Sequence, residues 1–160
     1  GFDLNVLLYD PFVRPEDPIA QQAELVDLDT LMARSDVVSV HAPSLPSTRG
    51  MIGSRQLKLM QDGAAFINTA RGALVEEEAL LAELQTGRIH AVIDVTDPEV
   101  PPASSPFFSL PNVFLTPHVA GAIGTERARL GLMAVEEIER FVRGEPMLYE
   151  IAPELLERLA

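Results

Sequence analysis

Three side chains lying far apart in the sequence have the chemistry of proton transfer beside a carboxylate. His118, in "LTPHVAGAI" (115–123), can exchange a proton near neutral pH. Glu99, in a loop that follows an apolar run, can hydrogen-bond that imidazole, hold its tautomer and raise its pKa. Arg71 opens "RGALVEEE" (71–78) with a guanidinium able to form a bidentate pair with a carboxylate. Together they form an anion anchor and an oriented acid–base pair. Taken singly, each also fits a purely structural role, as a cap, a surface group or a histidine satisfied at a sheet edge. Neither a nucleophilic serine elbow nor a cluster of metal ligands stands beside them.

The segments that must position these groups alternate between two patterns. Short aliphatic runs at "NVLLYD" (5–10), "DVVSVH" (36–41), "AAFINT" (64–69), "IHAVIDV" (89–95) and "NVFLTP" (112–117) suit strands buried on both faces of a parallel sheet. Between them lie helical stretches. "LDTLMARS" (28–35) follows Asp27, "SRQLKLM" (54–60) opens on Ser54, and "EEEALLAELQTG" (76–87) places three acids in its first turn and Gly87 at its end, as the helix dipole and a glycine C-cap favour. Residues 124–144 read as a long amphipathic helix, with Leu130, Met133, Ile138 and Phe141 close to one face and Gly144 ending it. A last helical piece, "APELLERLA", closes the chain. The stretch 96–108, with Pro98, Pro101, Pro102 and Pro106, must be an irregular loop.

Strand–helix alternation at this spacing predicts an α/β fold with a doubly wound parallel sheet, a Rossmann-type nucleotide-binding domain. In such sheets ligands sit beyond the carboxyl ends of the strands. The groups expected there are Asp10, His41, Asn68 and Thr69 leading to Arg71, Asp94, and His118. His41 reads as tying down its strand end, and His90 as structural. A dinucleotide sheet normally begins with a strand feeding a G-x-G-x-x-G turn, and no such motif exists here. The opening "GFDLNVLLYDP" instead matches the second strand of such a fold, with Asp10 where an acid would bind the adenosine ribose. The expectation is a domain lacking its first βα unit and occupying residues 1–146, with 147–160 leading out of it. The chemistry suggested is proton transfer beside a carboxylate-bearing substrate, with a dinucleotide as redox partner.

Composition narrows the alternatives. Twelve Lys and Arg against 24 Asp and Glu leave a net charge of −12, a poor balance for gripping a phosphate backbone, so no nucleic-acid partner is expected. Apolar runs such as "GAAFI" and "VFL" are too short to span a bilayer, so no membrane partner is expected either. The absence of cysteine removes disulfides, thiolate metal sites and a cysteine nucleophile, and agrees with a cytoplasmic home.

Four segments then carry a family resemblance. "HAPSLPSTRGMI" (41–52), "INTARGALVEEEALLAEL" (67–84), "AVIDVTDPEVPP" (91–102) and "LPNVFLTPHVAGA" (110–122) resemble, in order and spacing, the D-isomer-specific 2-hydroxyacid dehydrogenases. The resemblance runs from about residue 3 to about residue 147. It implies a hydride transfer between NAD(H) and a 2-hydroxy or 2-oxo acid. Its catalytic arginine, glutamate and histidine fall on Arg71, Glu99 and His118, which would hold the substrate carboxylate, support the imidazolium and carry the proton. It further implies Asp10 at the adenosine ribose, Ala42 and Pro43 along the adenine, Thr69 through its backbone, Asp94 at the nicotinamide amide and Gly121 leaving backbone room. A carboxylate at Asp10 would repel a 2′-phosphate, which favours NAD over NADP, although Arg14 lies close by in sequence. A homodimer is implied for the full-length protein, with helix 124–144 near the domain hinge.

Two residues depart from the family pattern. Leu45 replaces the threonine of "H-x-P-x-T", and Thr96 stands where an aromatic residue is common. A second class remains open, a non-catalytic dinucleotide-sensing module of the same fold, akin to the family's corepressor branch, as does a fragment inactive on its own. Formate dehydrogenases of this fold typically pair the histidine with glutamine, so Glu99 argues against them.

Overall fold

The computed structural model describes residues 3–158. Six short parallel strands are formed: β1 Leu7–Leu8, β2 Glu24–Leu25, β3 Val37–Val40, β4 Ala65–Asn68, β5 His90–Ile93 and β6 Val113–Leu115. β1 pairs with β2, and β3, β4, β5 and β6 form a separate four-stranded sheet in that order. Every strand is shorter than its aliphatic run, because only the residues in register with a neighbour join the ladder. β2 was not expected from the sequence. "AELVDL" carries acids among its few apolar residues, and pairing with β1, not its own pattern, makes it a strand.

The four-stranded sheet is assembled one strand after another: β3, β4 and β5 each follow an α-helix, and β6 follows only a 3-10 turn at Pro106–Phe108. α1 (Leu28–Arg34) is capped by Asp27, whose carboxylate accepts from the Thr30 amide at 2.8 Å. α2 (Ser54–Leu59) begins one residue after Gly53, so Ser54 lies inside the first turn and does not cap it. α3 (Glu77–Gln85) keeps Glu77 and Glu78 in its first turn. Met32 of α1, Leu57 of α2 and Leu80 and Leu84 of α3 pack on Val38, Val40, Phe66, Ala91 and Ile93 of the strands. This is the core, and it covers one face of the sheet.

The other face differs from the expectation of strands buried on both sides. Val37 is 56% and Phe114 65% exposed, and Ile67 and Val92 are half-buried. α4 (Thr125–Arg143) forms as read and ends at Gly144 in the left-handed conformation. Its apolar face is uncovered, with Leu130, Ile138 and Phe141 all exposed. The closing segment forms a 3-10 turn over Pro153–Arg158, and the last residues of "APELLERLA" lie outside the described residues. Among the described residues, no helix is long and apolar enough to cross a membrane.

Candidate active site

The carboxyl ends of β3 to β6 all open onto the same edge of the sheet, because the four strands are parallel. Backbone hydrogen bonds lock three of the ends together. The Asp94 amide donates to the Asn68 carbonyl at 3.0 Å, and the His118 amide donates to the Asp94 carbonyl at 3.0 Å.

His118 takes a left-handed backbone conformation, with φ of 53°, which costs a non-glycine residue energy and persists only when its surroundings impose it. Asp94 imposes it. Its carboxylate is 97% shielded from solvent (3% exposed) and accepts from the amides of Val119 at 2.8 Å and Ala120 at 2.9 Å, and from the Thr116 hydroxyl. The loop from Thr116 to Ala120 is therefore tied to the end of β5. Burial pushes the Asp94 carboxyl up, but those hydrogen bonds and the nearby His118 outweigh it and hold the group below its ordinary range.

Glu99 reaches the histidine as its sequence position suggests. Its Oε1 hydrogen-bonds His118 Nδ1, and both side chains are about half exposed. With Nδ1 engaged, Nε2 is the ring nitrogen left to face a reacting group. The loop carrying Glu99 is pinned from several sides. The Thr96 hydroxyl lies 2.8 Å from the Pro98 carbonyl and 3.1 Å from that of Glu99. The Asp97 amide donates to Glu77 at 3.2 Å, and Asp97 pairs with Arg49 at 2.8 Å. Thr96, a departure from the family pattern, is thus the residue that closes this loop. Beside His118 and Glu99 runs a groove of about 750 Å3, walled by Val100, Phe108, Leu110 and Phe114.

Arg71 lies on the turn after β4 and is exposed. Its Nη1 donates to the Ala70 carbonyl at 2.6 Å, and it contacts neither Glu99 nor His118 through a hydrogen bond or ion pair. What joins the turn to the Glu99 loop is Gly72. A Cβ built there would lie 2.1 Å from the Thr96 carbonyl carbon and 2.6 Å from the Asp97 nitrogen. Only glycine permits that approach.

Ala42, Pro43, Thr69, Gly121 and His41 sit around the same edge, whereas Asp10 belongs to the end of the other sheet. Asp10 follows β1 and is exposed, its Oδ1 accepting from the Phe12 amide at 2.8 Å. Ala42, Pro43 and Thr69 are half-buried at the ends of β3 and β4. The Pro43 carbonyl accepts from Thr48 at 2.6 Å, and the same hydroxyl accepts from the Leu45 amide at 2.9 Å. Thr48 thus supplies a hydroxyl in the turn that holds Leu45. Gly121 is exposed with open space where a side chain would project. His41 hydrogen-bonds Ser39 at 2.8 Å, as a residue tying down its strand end would. Sequence reading places Asn68 at this edge without giving it a role, and it passes over Gly72. The asparagine two residues before Ala70 is the local signal for the first, whereas nothing local marks the second.

Residues 1–120 match the family described as D-isomer specific 2-hydroxyacid dehydrogenase, NAD binding domain. The chain belongs to this family. It is 39% identical over 148 residues to a D-3-phosphoglycerate dehydrogenase of Archaeoglobus fulgidus, covering 92% of this chain and 28% of the relative. It is similar to the structure of a D-lactate dehydrogenase with NAD+ from Lactobacillus jensenii, with a TM-score of 0.79, 29% identity, and coverage of 92% of this chain and 48% of that one. It is also similar to a D-isomer specific 2-hydroxyacid dehydrogenase from Xanthobacter autotrophicus Py2 in complex with NADPH and MES, with a TM-score of 0.69, 38% identity, and coverage of 82% and 44%. The chain thus spans less than half the length of these family members. Its sheet is of the Rossmann type found in these neighbours.

Proposed function

We propose that this chain supplies the dinucleotide-binding half of an oxidoreductase that interconverts a 2-hydroxy acid and a 2-oxo acid. The observation that carries the reading is the hydrogen bond between Glu99 and His118 Nδ1, held at the same strand edge as the Arg71 turn. In this reading residues 1–146 form the nucleotide-binding unit and 147–160 lead out of it. The remainder of the cleft comes from other parts of the whole protein.

The donors and acceptors at the edge fit NAD. Asp94 spends both carboxylate oxygens on the 116–120 loop, yet a carboxylate has about four acceptor sites, so one remains for the nicotinamide amide. Asp10 keeps a carboxylate for the adenosine ribose, Ala42 and Pro43 flank the adenine, Thr69 offers its backbone, and the open space at Gly121 admits the nicotinamide. The Asp10 charge disfavours a 2′-phosphate, which is the ground for NAD over NADP. When bound, the nicotinamide supplies or receives the hydride at the second carbon of the substrate.

The chain's own residues do the rest. Arg71 turns its guanidinium to the substrate carboxylate and makes a bidentate pair with it. During reduction His118 gives its Nε2 proton to the carbonyl oxygen, and during oxidation the neutral ring accepts the hydroxyl proton there. Glu99 accepts from Nδ1–H throughout, so the ring keeps one orientation and its charged form is stabilised. A homodimer belongs to the same reading, and the uncovered Leu130, Ile138 and Phe141 support burial of α4 against further protein.

The test is a panel of 2-oxo acids, including glyoxylate, hydroxypyruvate and pyruvate, offered to the full-length protein with NADH and NADPH in parallel. Oxidation of NADH by at least one acid, lost in His118→Ala, is expected. Tight NADH binding with no turnover on any acid would instead favour a dinucleotide-sensing module.

A further inference from the structure

Asn68 is the last residue of β4, 2% exposed, and no step above uses its side chain. Both ends of its amide are nevertheless engaged. Oδ1 accepts from the Ala70 amide at 3.1 Å, and Nδ2 donates to the Arg71 carbonyl at 2.9 Å. These two bonds grip the peptide units on either side of the Ala70–Arg71 link. One belongs to the peptide entering Ala70 and the other to the peptide leaving Arg71. With both planes held, the direction of the Arg71 Cα–Cβ bond is set. The base of the brace is held too, because the Asn68 carbonyl accepts from Asp94 at 3.0 Å.

We infer that Asn68 is a positioning residue that presents Arg71 to the substrate carboxylate. This rests on the proposed function for the identity of that carboxylate, though not for the brace itself. Arg71 is exposed, and among the described residues its guanidinium holds only the neighbouring Ala70 carbonyl. A long side chain anchored so lightly owes its aim to its backbone. Replacing the brace leaves the turn free to shift, and misplacement by about 1 Å costs on the order of 100-fold in rate.

The experiment uses the full-length protein and measures steady-state reduction of glyoxylate, hydroxypyruvate and pyruvate by NADH. Wild type, Asn68→Ala, Arg71→Ala and the double variant are compared. Asn68→Ala is expected to lower kcat/KM by about 10- to 100-fold, chiefly through KM, with NADH affinity within about twofold of wild type. The double variant should be no slower than Arg71→Ala alone, because the brace acts only through Arg71. Multiplying defects in the double variant would overturn the inference.

Should the wild type reduce none of the acids, the proposed function falls and the brace is judged by amide hydrogen exchange. Exchange at Ala70 at least about tenfold faster in Asn68→Ala, with β4 unchanged, supports it, and unchanged exchange overturns it. Should Asn68→Ala fail to fold, Asn68→Asp takes its place. A carboxylate there opposes the Arg71 carbonyl, whereas its protonated form can donate to it. The charged groups around the position are Arg71, Glu77, which lines a small cavity together with Asn68, and Asp94, whose amide reaches the Asn68 carbonyl. Relative to wild type, kcat/KM of this variant should recover as pH falls. A ratio independent of pH counts against the brace.

Discussion

Gly72 and Thr96 touch through their backbones: a Cβ at Gly72 would lie 2.1 Å from the Thr96 carbonyl carbon and 2.2 Å from its oxygen. This contact joins the turn that carries Arg71 to the loop that carries Glu99. Gly72→Ala must therefore push one of the two backbones aside, since neither atom it meets is the end of a flexible side chain. We expect a loss of about 1–3 kcal/mol in stability and a fall of roughly 100-fold in kcat/KM. Thermal denaturation and steady-state kinetics of the full-length variant measure the two effects separately.

The hydrogen bond between Glu99 and His118 Nδ1 ranks the three reactive side chains. His118→Ala removes the proposed proton carrier and should lower kcat by about 100- to 10,000-fold. Glu99→Gln keeps a hydrogen-bonding group of the same size at Nδ1 but loses its charge, so its defect should be smaller than that of His118→Ala. Arg71→Ala should raise KM for the oxo acid while leaving NADH binding intact. Equal rates for wild type and His118→Ala would remove the assigned mechanism.

Asp94 stabilises the folded chain through its ionised form, since hydrogen bonds from Thr116, Val119 and Ala120 outweigh the cost of its burial and its pKa is lowered. A lowered folded-state pKa contributes stability above the ordinary value of about 3.8, and the contribution is lost as pH falls through the folded-state value. Asp94→Asn places an amide N–H against the backbone N–H groups it must satisfy. At neutral pH the variant should be about 1–3 kcal/mol less stable than wild type, and the gap should narrow as pH falls below 3.8. Denaturant titrations at several pH values follow it.

Arg88 closes the end of α2 from outside that helix. Its guanidinium donates to the carbonyls of Leu57 and Met60 and to Glu83 at 2.7 Å. Glu83 is only 8% exposed, so removing its partner leaves a buried carboxylate without compensation. Arg88→Ala should cost about 2–4 kcal/mol with kinetic constants unchanged in the folded fraction. Pairing it with Glu83→Gln should return part of the loss, as a double-mutant cycle will register.

The sequence by itself determined the alternation of strands and helices and the helix ends at Asp27 and Gly144, and it singled out Arg71, Glu99 and His118. Those features are local: apolar periodicity, capping and turn chemistry act within a few residues, and the family motifs are contiguous. Tertiary structure alone decided that β2 joins β1, that one face of the four-stranded sheet and the apolar side of α4 stay uncovered, and that Arg71 bonds its own turn. It also decided that Asn68 braces Arg71, that Asp94 binds the His118 loop, and that Gly72 must lack a side chain. Apart from the bonds within the 68–71 turn, these depend on strand register and on atoms brought together from distant segments. The physical reason is that a hydrogen bond or close contact across the sheet is set by which strand ends meet, and no periodicity in one segment encodes its neighbour.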